Sequence, residues 1–295
     1  MKSKLFCLAL LLAGFAVASA QNEKQEALWF TYPAISPDGK TIAFSHRGDL
    51  FTVPVEGGQA RQLTSHAAYD AYPVWSPDGE RIAFASDREG SLDIYHVPAK
   101  GGTPVRLTTH SGTEIPLAFT SRGTVLYRAS GMETVQSLLF PGDYPQVYEV
   151  DLQGGRPRLF SAWPMIRLSL APDGSLLYQD KKGYEDDWRK HHTSSVTRDI
   201  WLLKDGKHVK MTSFKGEDME PVWAPDYESF YYLSEENGSF NVYRKGLDPQ
   251  SASEQVTHFK THPVRFLSVS DKGDLCFSYD GRIYFKPAGR EPSRL

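Results

Sequence analysis

A stretch of about twenty residues occurs twice near the start of the chain. The first copy reads TYPAISPDGKTIAFSHRGD from Thr31 to Asp49, and the second reads AYPVWSPDGERIAFASDREG from Ala71 to Gly90. In both copies, residues that favour β-strands flank Ser-Pro-Asp-Gly. Proline presets the second position of a type I turn, and glycine accepts the positive φ that closes it. Each copy therefore predicts a β-hairpin.

Four weaker copies follow, and they read LAFTSRGTVLYRAS, LSLAPDGSLLYQD, PVWAPDYESFYYLS and LSVSDKGDLCFS. The successive turn positions are 40, 44, 51, 53 and 46 residues apart, at Gly39, Gly79, Gly123, Gly174, Tyr227 and Gly273. Each copy continues with a third strand such as LDIYHVPA, a turn such as KGG and a fourth strand such as PVRLT. Four short antiparallel strands at this period are typical of a β-propeller blade.

We therefore predict an all-β fold, a six-bladed β-propeller of four-stranded antiparallel blades. A β-sandwich would not repeat its turn sequence at this period, and the common β-helix repeats are much shorter. Blade one begins with its own innermost strand near WFTYPAIS, and blade six ends with its own outermost strand in REPSRL. We expect the ring to close by packing, without strand exchange. Pairing of residues 21–29 beside the last strand would contradict this expectation.

The first twenty residues, MKSKLFCLALLLAGFAVASA, have the order of a secretory signal peptide. Lys2 and Lys4 precede an apolar run that ends in Ala-Ser-Ala and is too short to span a bilayer. We predict a cleaved signal peptide over 1–20, a linker over 21–28 and the propeller over 29–295. The protein is then expected to be periplasmic or secreted, with no membrane span.

Cleavage would remove two lysines and take the formal net charge from −3 to −5. A mildly acidic chain does not favour nucleic acid or an anionic membrane as a partner. Cleavage would also remove Cys7, so Cys276 would have no disulfide partner in the chain. Its strand, DLCFSYD, predicts a buried and unreactive thiol.

The repeat resembles that of TolB-type periplasmic proteins and of the N-terminal region of tricorn-type serine peptidases. The fourth blade, DWRKHHTSSVTRDIWLLKDGKHVKMTSFKGEDMEPVWAPD, is similar to the matching blade of bacterial tricorn homologues. Tricorn peptidases typically continue into a second propeller, a PDZ domain and a catalytic domain. The resemblance implies that this chain corresponds to the first domain of such a serine endopeptidase and lacks the parts that cut peptides.

The chain contains no Gly-x-Ser-x-Gly elbow, His-Glu-x-x-His helix, Cys-x-x-Cys pair or phosphate-binding glycine loop. We therefore expect no catalytic, cofactor-binding or metal-binding residues. His191 and His192 could form a metal site with Asp186 and Asp187. Neighbouring histidines in an extended segment point to opposite sides, however, which favours solvated loop residues.

Two long insertions, 130–146 in blade three and 181–199 in blade four, separate second and third strands and are expected on one face of the ring. Apolar, aromatic and histidine side chains there suit contact with a peptide or another domain, although they could also fold back as small cores. These candidates are Leu138, Leu139, Phe140, Tyr144, Tyr184, Trp188, His191 and His192. Residues at or just before innermost strands are candidates for the channel mouth, namely His66, Asp70, Glu114 and Glu220.

These observations predict a non-catalytic propeller that binds or channels peptides and contacts other domains in proteolysis. One alternative is a free-standing TolB-like periplasmic scaffold for protein–protein interaction. A carbohydrate-active propeller, such as an oligogalacturonate lyase, is another, but such enzymes hold a metal with histidines, and the histidines here are scattered or adjacent.

Overall fold

The computed structural model describes residues 27–130, 144–183 and 191–295. Over these residues, 24 strands form six four-stranded antiparallel sheets, and each sheet is continuous in sequence. The first three blades contain β1 (Thr31–Ile35), β2 (Thr41–His46), β3 (Asp49–Pro54), β4 (Arg61–Gln62), β5 (Asp70–Trp75), β6 (Arg81–Ser86), β7 (Asp93–Pro98), β8 (Val105–Arg106), β9 (Glu114–Phe119), β10 (Val125–Ala129), β11 (Gln146–Val150) and β12 (Arg158–Ser161).

Blades four to six contain β13 (Met165–Leu170), β14 (Leu176–Asp180), β15 (Ile200–Lys204), β16 (Lys207–Lys210), β17 (Asp218–Trp223), β18 (Ser229–Ser234), β19 (Asn241–Gly246), β20 (Glu254–Gln255), β21 (Arg265–Val269), β22 (Leu275–Tyr279), β23 (Arg282–Lys286) and β24 (Ser293–Arg294). The predicted six-bladed all-β propeller is confirmed. In the described part of the chain, no helix is both long and apolar enough to cross a bilayer.

The Ser-Pro-Asp-Gly turns join the first and second strands of a blade. In blade one, the N–H of Gly39 donates to Ser36 O (2.9 Å), and the Ser36 hydroxyl donates to the Asp38 carboxylate (2.6 Å). The same bonds recur in blade two between Gly79, Ser76 and Asp78. The serine hydrogen bond is the largest of the causes that lower the pKa of Asp38. The repeated motif thus closes its turn with hydrogen bonds made within the motif itself.

Six clusters of buried apolar side chains hold the described part of the ring together, and each lies between two successive blades. Between blades two and three, for example, Ala83 and Ile94 pack against Phe119 and Tyr127. The other five clusters occupy the other five blade boundaries. Each sheet therefore buries its faces against its neighbours, since a single four-stranded sheet cannot cover both of its own faces.

The boundary between blades six and one is built like the others. Ile35, Ile42 and Phe44 of blade one pack against Cys276 and Ile283 of blade six. The strands β1–β4 and β21–β24 each complete their own sheet, so closure without strand exchange is confirmed for the described residues. Cys276 is fully buried in this cluster, and burial raises the pKa of its thiol, as expected of an unreactive cysteine.

Hydrogen bonds to the backbone reinforce the closure. The N–H of Asp271 in blade six donates to Pro37 O in blade one (2.9 Å), and the N–H of Ile35 donates to Ser268 Oγ (3.1 Å). Just before β1, the N–H of Trp29 donates to Gly281 O (2.9 Å), in the turn between β22 and β23. This contact does not make Trp29 part of the last sheet.

Two equivalent turn glycines give a test of the closure. Gly39 and Gly79 have φ of +72° and +71°, but a Cβ at Gly39 would lie 2.8 Å from Asp274 Oδ2, whereas at Gly79 the nearest atom is 3.9 Å away. Both alanine variants should lose about 1 kcal/mol of unfolding free energy through the positive φ. Gly39→Ala should lose about 1 kcal/mol more, because Asp274 is fixed by Ser270 and by the N–H of Ala288.

Urea denaturation of the two variants measures this difference. Gly79→Ala is the matched control, since it has the same backbone strain without the contact to blade six. Equal losses in the two variants would contradict a tightly packed boundary between the first and last blades.

Candidate functional site

A cavity of about 330 Å³ lies on the axis of the ring and is lined by the innermost strands of all six blades. Its volume lies at the lower end of the range usual for small-molecule and cofactor sites. The wall is mainly apolar and includes Val74, Leu117, Leu170, Val222 and Val269. The lining also reaches Pro37 and Asp271, in the turns that follow innermost strands, so this cavity lies towards the face of the ring that carries the Ser-Pro-Asp-Gly turns.

A second cavity of about 110 Å³ lies further along the axis, towards the opposite face. Its lining includes Arg128, Gln179 and Arg265, which lie at the start of an innermost strand or the end of a second strand. Five residues line both cavities and form the boundary between them. We call them the axial girdle: Tyr32, Tyr72, Arg167, Glu220 and Phe266.

Four of the five girdle residues have an unusual backbone conformation. The φ angles of Tyr32, Tyr72, Glu220 and Phe266 lie between 52° and 59°. At each of them the pairing between the first and second strands of the blade shifts register, which marks a β-bulge. Bulges re-aim side chains and are common beside binding sites. Left-handed backbone at bulky residues is costly and persists only where the surrounding structure imposes it.

The girdle side chains pack against one another across the axis. The rings of Tyr32 and Tyr72 have centroids 4.1 Å apart and their hydroxyls are hydrogen-bonded at 3.1 Å, while Phe266 lies 4.6 Å from Tyr32. The guanidinium carbon of Arg167 lies 5.6 Å from the centre of the Tyr72 ring. Blades four and two are not neighbours, so the Arg167 side chain reaches across the channel. The girdle therefore forms a floor beneath the larger cavity.

Two opposite charges belong to this floor. Glu220 accepts a hydrogen bond from the N–H of Leu267 on its Oε2 atom (2.7 Å), and its own N–H donates to Gln179 (3.1 Å). Arg167 forms no hydrogen bond or ion pair with any of the residues that the structure describes. The floor thus combines aromatic rings, one anchored carboxylate and one guanidinium that is not ion-paired with any residue in the described part of the chain.

The protein-family model for the tricorn protease N-terminal β-propeller domain matches residues 27–290 of this chain. The chain belongs to this family. The crystal structure of tricorn protease superposes with a TM-score of 0.77 at 21% identity, over 91% of this chain and 26% of that one. The chain thus spans about a quarter of the length of tricorn protease. No curated protein sequence matches the chain significantly.

Two further structures share the propeller fold of this tricorn-type domain. TolB from Acinetobacter baumannii has a TM-score of 0.57 at 18% identity, with 90% of this chain and 66% of that one covered. The nidogen/laminin complex contains a chain with a TM-score of 0.60 at 12% identity, with 86% of this chain and 92% of that one covered. At these identities the likeness concerns the fold alone.

The predicted contact residues of the tricorn-type domain lie partly outside the described residues, as Leu138, Leu139, Phe140, Tyr184 and Trp188 do. The Tyr144 hydroxyl donates to Lys182 O (3.1 Å), which brings the end of the first insertion to the start of the second. His191 is exposed and its N–H donates to Glu235 Oε2 (2.6 Å). His192 follows it in the same loop. A role of these residues in partner contact stays a prediction.

Of the residues predicted at the channel mouth, Glu220 lines both axial cavities. Asp70 is fully buried and ion-paired with Arg88 (2.6 Å), and Glu114 is fully buried beside Thr108, which donates to it. His66 is exposed, and its Nδ1 accepts the N–H of Ala68 (3.0 Å). None of these three is among the residues that line the two axial cavities.

The sequence interpretation missed four girdle residues, although the repeat held the signal. Counting back seven positions from each turn residue of the alignment gives Tyr32, Tyr72, Pro116, Arg167, Glu220 and Phe266. All six line the larger cavity, and five of them form the girdle. The innermost strands are otherwise apolar, so the large or charged side chains at this one position of the repeat could have identified the girdle.

Two neighbouring blades also expose apolar side chains at their outer edge. We call this set the rim patch: Leu159, Phe160, Trp163 and Val209, which are 39–51% exposed. They lie on the outermost strands β12 and β16 or on the link after β12, where Trp163 stacks on His208 at 4.8 Å. Exposed apolar groups gathered in one region suit contact with another protein. The sequence interpretation did not single out these residues.

Among the described residues, no three His, Cys, Asp or Glu side chains converge in a way that could hold a metal ion. His191 has a φ of 57°, so the backbone at the histidine pair is not extended, unlike the geometry assumed from the sequence. The expectation of a solvated loop stays a prediction for this segment.

Buried acids between blades generate a pH prediction. Burial raises the pKa of Glu114 to about 7, with the negative charge of Asp93 as a further cause, and burial also raises the pKa of Asp218 to about 7. Each group binds a proton more tightly in the folded chain than in the unfolded one. The unfolding free energy should therefore fall as the pH rises from about 5 to 8, by up to about 3 kcal/mol per group.

Urea denaturation at pH 5, 6, 7 and 8 measures this dependence. Glu114→Gln stays neutral throughout and should remove the share that Glu114 contributes, so that the pH dependence of the variant is shallower. Asp218→Asn is the parallel variant for blade five. If Glu114→Gln has the same pH dependence as the unsubstituted protein, Glu114 is already ionised in the fold and the assignment is wrong.

Proposed function

We propose that this tricorn-type propeller is a non-catalytic domain that binds short apolar peptides in its axial cavity and acts in proteolysis together with other protein domains. The observation that carries the proposal is the cavity itself, with an apolar wall contributed by all six blades and a polar floor. Apolar pockets that contain a few convergent polar groups are the usual form of a binding site.

The girdle favours binding over channelling. A peptide that passed along the axis would have to displace the stacked Tyr32 and Tyr72 and the Arg167 side chain that reaches across to them. Opening would expose aromatic surface and break the hydroxyl pair, which is costly. A peptide that enters from the face with the Ser-Pro-Asp-Gly turns would instead occupy a cavity that the girdle closes at its far end.

Contact with other domains is supported by the rim patch and by the predicted insertion residues. The family of this chain takes its name from the N-terminal propeller of a protease, which supports a role beside a peptidase region. The signal peptide predicted over 1–20 supports a bacterial periplasmic location. A TolB-like scaffold that binds envelope proteins is the second candidate, and the exposed rim patch is the observation that favours it.

Peptide binding can be measured by isothermal titration calorimetry with N-acetyl-Ala-Leu-Leu as the probe. Ala118 lines the cavity, so Ala118→Phe should fill part of it and weaken binding at least about tenfold, which corresponds to about 1.4 kcal/mol. Ala162→Phe is the matched control, because Ala162 is exposed on the link between blades three and four. Thermal melting followed by circular dichroism checks that both variants fold.

Unchanged binding in folded Ala118→Phe would place the peptide elsewhere on the protein and would overturn the cavity as the site. Absence of binding by the unsubstituted protein would overturn peptide binding altogether. Equal loss in Ala162→Phe would likewise contradict the assignment, because that substitution does not touch the cavity.

A further inference from the structure

The guanidinium of Arg167 differs from those of four other arginines in the described chain. Arg88, Arg106, Arg122 and Arg244 each lie 2.6–2.8 Å from a carboxylate. Arg167 is partly buried on the floor of the axial cavity and has no such partner among the described residues. A guanidinium removed from bulk water without a counterion is costly, so an anion in the cavity would be stabilised by it.

The Tyr72 hydroxyl supplies a second donor at the same place. Tyr32 donates its hydroxyl hydrogen to the Tyr72 oxygen (3.1 Å), which leaves the hydrogen of Tyr72 for another acceptor. Burial, followed by the proximity of Tyr72, raises the pKa of Tyr32, so the Tyr32 hydroxyl stays protonated. The guanidinium and the phenol of Tyr72 are held together by the cation–π contact at 5.6 Å.

The remaining charges of the cavity limit what kind of anion fits. Glu220 belongs to the same floor, and Asp271 lines the cavity at the level of the turns. Two acidic groups in one small cavity disfavour a doubly charged ligand such as a phosphate monoester. The apolar wall requires an apolar body next to the charged end. A monoanionic carboxylate on an apolar body satisfies both conditions.

Glu220 also distinguishes a peptide end from a plain carboxylic acid. Its carboxylate accepts the N–H of Leu267 through Oε2 and retains further capacity to accept hydrogen bonds. The last amide of a peptide offers an N–H close to the terminal carboxylate, and a fatty acid has none. The floor therefore presents donors for the carboxylate and an acceptor for the neighbouring N–H.

We infer that the axial cavity binds an apolar peptide by its C-terminal carboxylate, with Arg167 and Tyr72 as the donors and Glu220 as the acceptor of the last N–H. This inference rests on the proposed function, because it assigns an orientation to the peptide in the same cavity. The C-terminus then lies on the floor and the rest of the peptide extends towards the face with the Ser-Pro-Asp-Gly turns.

The test compares N-acetyl-Ala-Leu-Leu with its C-terminal amide by calorimetry on the purified protein. The free acid should bind at least about tenfold more tightly than the amide. Arg167→Gln should bind both forms with similar affinity, since it keeps polar donors but removes the charge. Arg122→Gln is the matched control, because Arg122 is exposed, pairs with Glu149 and does not line the cavity.

A third probe, octanoate, separates the two sources of an apolar carboxylate. Octanoate should bind at least about tenfold more weakly than the acid peptide, because it offers no N–H to Glu220. Binding of octanoate as tight as that of the peptide would overturn the assignment to a peptide end.

Equal affinity of acid and amide for the unsubstituted protein would overturn the carboxylate site while leaving peptide binding in place. Absence of binding by either form would overturn the proposed function as well. A preference for the acid that survives in Arg167→Gln would contradict the role of Arg167.

Discussion

The burial of apolar side chains between successive blades is the interaction on which the rest of the structure depends. Each four-stranded sheet has two faces, and neither is covered within the blade. The boundaries contribute one apolar cluster each, and these six clusters together take the place of a single central core in the described residues. The packing of blade six on blade one closes the ring, and this boundary is built in the same way as the other five.

This arrangement has a consequence for the axis. Because the apolar clusters lie between blades, the innermost strands can present side chains to the channel that are not needed for packing. The bulges at Tyr32, Tyr72, Glu220 and Phe266 use that freedom and turn large or charged side chains towards one another. The positive φ at these residues is energetically unfavourable, and the packing of the surrounding sheets offsets this strain. A polar and aromatic floor within an otherwise apolar channel is the result.

The same packing explains the buried carboxylates between blades. Asp70 and Glu114 begin their strands at positions that the ring closes off from water. Asp70 is ion-paired with Arg88, whereas burial, and after it the negative charge of Asp93, raises the pKa of Glu114 although Thr108 donates a hydrogen bond to it. The two acids hold similar positions in the repeat, but only Asp70 has an ion-pair partner among the described residues. The sequence pattern predicted both Asp70 and Glu114 at the channel mouth and could not distinguish between them.

The number of blades, their four-stranded form and the absence of strand exchange could be predicted from the sequence, because turn chemistry and strand alternation are local and the repeat displays them six times. Membership of the tricorn-type family followed from the same residues. The site could not be derived in this way. The direction of the Arg167 side chain depends on the bulges and on ring closure. The same two features bring it to Tyr72, which lies in a non-adjacent blade and about a hundred positions away in the sequence. Only the tertiary structure decided these contacts, since a shift of one residue in register sends a strand side chain to the opposite face.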